Sequence, residues 1–151
     1  RLYEKFVLNF YKRHLDESFY KVYAPKLSWN LDGEISDKEL SLLPEMRTDI
    51  VIENKVINIQ LIIDTKYYAQ TLVSSNWADI EKIRTAHLFQ IFAYINNSDF
   101  LGKIKGILLY PTVEKEINAN YSILGNSIGI RTLNLNSEWE DISDRLLSFI
   151  Q

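Results

Sequence analysis

Residues 61–66 read Leu-Ile-Ile-Asp-Thr-Lys, and this stretch restricts the fold more than any other. Side chains alternate between the faces of a strand, so three consecutive large aliphatics require cover on both sides. That requirement selects a sheet held between layers of helix. Asp64 and Lys66 follow at the strand's end, where charges are solvated, paired or bound to a ligand, because an unpartnered buried charge is costly. Alternation sets Asp64 and Lys66 on one face and points Thr65 away, although the Thr65 backbone carbonyl can still turn toward a cation.

The flanking patterns supply the other layers. Leu2, Phe6 and Phe10, with Tyr3 and Val7, recur at helical spacing and predict an amphipathic helix from Leu2 to about Tyr20, with Glu4 off its stripe. Pro25 interrupts; Lys26 to Leu31 reads as a short strand and Asp32 to Ser41 as a polar loop. Thr48 to Glu53 and Val56 to Tyr67 read as antiparallel strands about a polar turn at Asn54-Lys55. Ala78 to Asn97 reads as a helix burying Ile80, Ile83, Leu88, Ile91, Phe92 and Ile95. Gly106 to Pro111 predicts a buried strand ended by its proline, and Ile128 to Leu135 another. A final helix is expected from Ser137, capped by a Ser137/Glu140 box. The order predicts an α/β fold: a central mixed sheet of about five strands flanked by α-helices.

Composition narrows the chemistry. A chain of 151 residues, 46% hydrophobic, is long enough for one domain with a substantial core. It has no cysteine, which excludes disulfides, thiolate metal sites and cysteine nucleophiles, so a metal would be held by oxygen or histidine nitrogen. The net charge of −3 gives no general field for nucleic acid and leaves only local basic patches, with Lys82 and Arg84 as candidates for phosphate contact. No apolar run approaches a membrane span and no signal peptide is evident, so a cytoplasmic protein with no membrane partner is expected. Because the chain opens with Arg1 inside a helical pattern, residues 1–151 are read as one domain from the C-terminal part of a longer chain.

Asp49 opens one strand of the hairpin and Asp64 closes the next, so the two ends lie side by side if the register allows. A tight turn on Asn54-Lys55 would set Asp49 opposite Gln60, about 13 Å short of Asp64 at the usual rise. A later turn near Val56-Ile57, or a bulge, brings them together. Converged, two carboxylates and the Thr65 carbonyl offer the hard oxygen ligands that suit Mg²⁺ or Mn²⁺. Such a cation supplies an activated water, and Lys66 beside it orients that water and neutralises phosphate charge. The outline is that of a phosphodiesterase.

Several words surround this set in order: Leu2-Tyr-Glu-Lys-Phe-Val-Leu-Asn-Phe-Tyr11, Leu43-Pro-Glu-Met-Arg-Thr-Asp-Ile50, Asp64-Thr-Lys-Tyr-Tyr68, His87-Leu-Phe-Gln-Ile-Phe-Ala-Tyr94 and Gly106-Ile-Leu-Leu-Tyr-Pro111. Together they resemble the McrC nuclease family, the endonuclease subunits of 5-methylcytosine-specific McrBC restriction systems, within the PD-(D/E)xK, restriction-endonuclease-like superfamily. The resemblance spans the first helix to about Pro111. It implies a Mg²⁺-dependent DNA endonuclease in which Asp49 and Asp64 bind the metal and Lys66 is the catalytic lysine. Thr48 stands where the motif's name has proline, a position that shapes the approach to the aspartate and carries no chemistry. Gln90 and Tyr94, one helical turn apart, match residues that assist the active site or touch nucleic acid in related nucleases. Glu4 matches a first-helix acid that supports the metal in some relatives. The implied partners are methylated DNA and a McrB-like AAA+ GTPase docked through a missing N-terminal region. The chain has no phosphate-binding loop, so it is not that motor. Cutting both strands calls for two sites or one used twice, so association of nuclease domains is expected.

Plainer readings stand beside these. Asp64 and Lys66 also fit a strand-end ion pair, worth about 0–1 kcal/mol if exposed. Gln90 and Tyr94 fit ordinary half-exposed helix positions, and Lys82 and Arg84 a solvated face. Tyr67 and Tyr68 read as strand packing, and His87 as a local hydrogen-bonding residue, with no second histidine at ligand spacing. The alternatives to a McrC-type enzyme are another PD-(D/E)xK nuclease, for repair or a different restriction system, or a catalytically silent assembly platform on the same fold.

Overall fold

A computed structural model describes residues 2–67, 72–74, 81–112 and 116–150. In chain order the elements are α1 (Leu2–His14), β1 (Tyr20–Tyr23), β2 (Lys26–Leu27), α2 (Asp37–Ser41), β3 (Met46–Arg47), β4 (Ile50–Asn54), β5 (Ile59–Thr65), β6 (Leu72–Ser74), β7 (Glu81–Ile83), α3 (Thr85–Asn97), β8 (Lys103–Thr112), β9 (Asn118–Ile123), β10 (Asn126–Asn134) and α4 (Trp139–Ser148). Among the described residues six strands form the main sheet, in the order β1-β4-β5-β8-β10-β9. The adjacent strands β5, β8 and β10 run parallel, and the remaining neighbours are antiparallel, so the sheet is mixed.

The aliphatic triplet does what its alternation demands. Leu61 and Ile63 face the layer of α1 and α4, where they meet Val7, Phe10, Tyr11 and Leu146. Ile62 faces the opposite layer and packs with Ile91, Tyr94 and Ile95 of α3. Burying each such side chain contributes about 1.5–3 kcal/mol, so the central strand is anchored from both sides. Gly106 sets how closely α3 approaches: a Cβ there would lie 2.6 Å from Ile91 Cγ1 and 2.7 Å from Ile95 Cδ1.

The hairpin takes the later turn. Ile50 pairs with Ile63 and Asn54 with Ile59, leaving Lys55 to Asn58 as the connection. The Asn54 side chain accepts from the backbone N–H groups of Val56 and Ile57, at 3.0 and 3.2 Å, and Asn58 takes φ +54°, which asparagine tolerates. Continued by one residue, this register sets Asp49 beside Asp64.

Other boundaries moved. α1 ends at His14, and Tyr20–Tyr23 leaves it to become an edge strand on β4. The strand expected over Lys26 to Leu31 shrinks to Lys26–Leu27. The expected polar loop contains α2, held by a Ser36/Glu39 capping box. The capping box expected at Ser137 and Glu140 is absent: α4 starts after Glu138 with no side-chain cap, while the Ser137 N–H is tied to the Asn134 carbonyl. Of the helix expected from Ala78, residues 78–80 lie outside the described residues and Glu81–Ile83 pairs with β6, so α3 begins at Thr85.

Pro111 does not end its strand. β8 continues to Thr112 along β10, yet its pairing with β5 stops at Leu109. The Lys66 N–H reaches the Leu109 carbonyl at 2.9 Å, and the next rung of a parallel ladder would need an N–H at residue 111. Proline has none, so one side of β8 separates while the other stays paired.

Candidate active site

Three elements converge at the C-terminal end of β5. Asp49 stands one residue before β4, and its Oδ2 accepts from the Thr65 N–H at 2.8 Å and from the Thr65 hydroxyl at 2.9 Å. Thr65 therefore reaches back to the site through its side chain, where strand alternation had it pointing away; Asp49 lies in the bend ahead of the strand, at the edge both faces share. Asp64 faces the α3 layer and is 2% exposed. Thr48 is held by the Pro25 carbonyl, which its hydroxyl meets at 2.5 Å, and this fixes the approach to Asp49.

Lys66 is clamped between two partners. Its Nζ lies 2.7 Å from Asp64 Oδ2 and donates to Gln90 Oε1. The Asp64 contact pairs opposite charges in the interior, and the hydrogen bonds of Lys66 and Asp49 to this carboxyl work against the effect of its burial. The Gln90 amide is oriented without ambiguity. An ammonium only donates, so the carbonyl end of Gln90 must face it, and the amide end donates to the Tyr94 hydroxyl at 2.9 Å. The Tyr94 hydroxyl in turn donates to the Arg47 carbonyl at 2.8 Å. Tyr94 is thereby a buried residue, 5% exposed, with only its hydroxyl turned to the site.

Residues 1–111 match the family described as McrBC 5-methylcytosine restriction system component, a span that includes every residue of this cluster. The chain belongs to that family. It is also 35% identical, over 151 aligned positions and 97% of its length, to the type IV methyl-directed restriction enzyme EcoKMcrBC of Escherichia coli strain K12. It spans 40% of that relative's length.

In this McrBC family member the electrostatics of the cluster favour a cation. Burial, then a hydrogen bond with Glu4 and the charge of Asp64, push the Asp49 carboxyl up to about 7. Burial also raises Asp64, although Lys66 pulls against it. Two buried carboxylates that resist ionising together, in an all-oxygen donor set, fit a hard dication such as Mg²⁺ or Mn²⁺. Among the described residues no group of three Asp, Glu or His side chains is disposed as a metal cage. Glu4, in the first turn of α1, acts on the site through its bond to Asp49.

The remaining candidates lie further out. Lys82 is on strand β7, not on a helix, and is exposed; Arg84 is the exposed N-cap residue of α3. Tyr67 is 58% exposed and packs its ring 5.6 Å from that of Tyr3, while Tyr68 lies outside the described residues. One pair escaped the sequence reading: His87 Nδ1 meets the hydroxyl of Tyr110 at 3.0 Å, on the α3 side of the sheet beside the carboxylates. A lone helical histidine with its partner 23 residues away on a strand leaves no local signal.

Proposed function

We propose that this chain is a Mg²⁺-dependent DNA endonuclease domain of a McrBC-type restriction system, hydrolysing phosphodiester bonds when a McrB-like AAA+ GTPase activates it on methylated DNA in the prokaryotic cytoplasm. The observation that carries this reading is the clamp on Lys66, an ammonium held between Asp64 and Gln90 with Asp49 alongside. A structural ion pair has no need of the Gln90–Tyr94 relay that aims the lysine.

Asp49, Asp64 and the Thr65 carbonyl would hold the metal, with Glu4 supporting Asp49. Bound there, a divalent cation supplies Lewis-acid stabilisation of phosphate charge and an acidified water. Lys66 orients the attacking water and faces a non-bridging phosphate oxygen as the water oxygen bonds to phosphorus and the ester P–O bond breaks. Gln90 and Tyr94 keep the ammonium from swinging away, so its ordering cost is met before substrate arrives. Double-strand cleavage then calls for two such domains to associate.

Cleavage of methylated DNA with Mg²⁺, GTP and the GTPase partner tests the reading. The native protein should cut, and Asp64→Ala and Lys66→Ala should each lose at least about a hundredfold in rate. Native-like cutting by both variants would overturn the site; partner binding with no cutting by the native protein would leave the fold as an assembly platform.

A further inference from the structure

His87, Gln90 and Tyr94 follow one another at helical spacing on one stripe of α3, and Arg84 precedes them at the N-cap. The stripe runs from solvent inward: Arg84 is exposed, His87 and Gln90 are half-buried and Tyr94 is buried. Gln90 and Tyr94 are used up in holding Lys66. His87 is not; its one side-chain hydrogen bond among the described residues goes to Tyr110.

That bond decides the tautomer. Tyr110 is fully buried on β8, and His87 Nδ1 is the one partner its hydroxyl has among the described residues. Burial, together with the positive charges of Lys66 and Arg84, holds the imidazole below its ordinary proton affinity, so the ring is neutral with one N–H and one bare nitrogen. If Nδ1 carried the hydrogen, the tyrosine O–H would be left in the interior with no acceptor. If Tyr110 donates to a bare Nδ1, both groups are satisfied and the hydrogen sits on Nε2. Nε2 lies across the ring from the buried contact, so the pair leaves one uncharged N–H on a half-buried side chain one helical turn before Gln90, the residue that holds Lys66.

We propose that His87, its tautomer held by Tyr110, is a substrate-backbone contact that donates its Nε2–H to a non-bridging phosphate oxygen next to the scissile position. The proposal rests on the nuclease reading above. It divides the work of the stripe: Gln90 and Tyr94 aim the lysine, and His87 with Tyr110 seats the neighbouring phosphate. A neutral donor releases no counterion, so this contact adds affinity without steepening the salt dependence of binding.

The test measures binding of a labelled methylated duplex to the protein in complex with its GTPase partner, without divalent cation so that nothing is cut. His87→Ala should weaken binding about tenfold, the size of one hydrogen bond to a charged oxygen, at an unchanged salt slope. A series of duplexes with single neutral methylphosphonates should contain one position that weakens the native protein and has no further effect on His87→Ala. The double variant His87→Ala/Tyr110→Phe removes the orphaned hydroxyl, so it should recover the melting temperature while still binding about tenfold more weakly. His87→Gln, which returns an N–H near Nε2, should recover binding to within about twofold. Native-like binding by His87→Ala, or recovery of binding by the double variant, would overturn the assignment. Adding Mg²⁺ and GTP to the native complex then asks separately whether it cuts, so failure of the nuclease reading is seen apart from failure of the contact.

Discussion

Replacing Asp49 with asparagine removes one charge from the buried pair and keeps the oxygen that Thr65 bonds. In the folded protein the Asp49 carboxyl titrates at about 7, raised chiefly by burial. In the unfolded chain an aspartate titrates near ~3.9. Below both values the proton is bound in both states. As pH rises, the unfolded chain gives up its proton first, so folding must take one up, and stability is lost progressively until about pH 7 and is level above it. About three decades in proton affinity correspond to about 4 kcal/mol; partial exposure and sharing of protons with Asp64 and Glu4 reduce this to about 2 kcal/mol. For a chain of this length that is about 4–8 °C in melting temperature. Without divalent cation, Asp49→Asn should therefore melt with the native protein near pH 4 and about 4–8 °C above it at pH 8. Added Mg²⁺ should raise the native melting temperature at pH 8 and leave the variant unmoved, because only the native pair gains by binding it. Scanning calorimetry at the two pH values, with and without Mg²⁺, measures this. A native-to-variant gap that is the same at pH 4 and pH 8, or equal stabilisation of both proteins by Mg²⁺, would refute the reasoning.

Gln90→Ala frees Lys66 on one side, and single-turnover cleavage should slow about 10–100-fold with little change in the DNA concentration needed for half-maximal rate. Gly106→Val drives side-chain atoms into Ile91 and Ile95, and denaturant titration should show a loss of about 1–3 kcal/mol. Ser36→Ala removes the cap of α2 at a local cost of about 1 kcal/mol. No residue of α2 is buried, so hydrogen exchange over residues 37–41 should quicken while the global melting temperature holds.

The sequence told most where one side chain had one job. The shared face of Asp64 and Lys66, and the two-sided burial of Leu61, Ile62 and Ile63, follow from strand alternation alone and stand in the structure. Register was not legible in that way. Val56 and Ile57 have strand-like side chains but sit in the turn, 69% and 59% exposed; what fixes the turn is the Asn54 side chain and the left-handed backbone of Asn58. Two S-x-x-E words have equal local claims to a capping box, yet only Ser36/Glu39 forms one, because a separate turn from Asn134 holds Ser137 outside α4. Ile83 suits a helical stripe and a strand equally, and it packs on α3 from β7. The edge strand β9 is mostly exposed, so its polar sequence carries little periodic signal. The His87–Tyr110 pair is a contact made by packing α3 on β8, and nothing within either neighbourhood announces it.

The missing rung at Pro111 bears on how each side of β8 is held. β5 has no ladder to maintain with β8 beyond Lys66, while β8 remains braced by β10. A proline that seems to interrupt a strand acts as a one-sided stop: it closes the pairing of β8 with the strand that carries Asp64 and leaves the pairing with β10 whole.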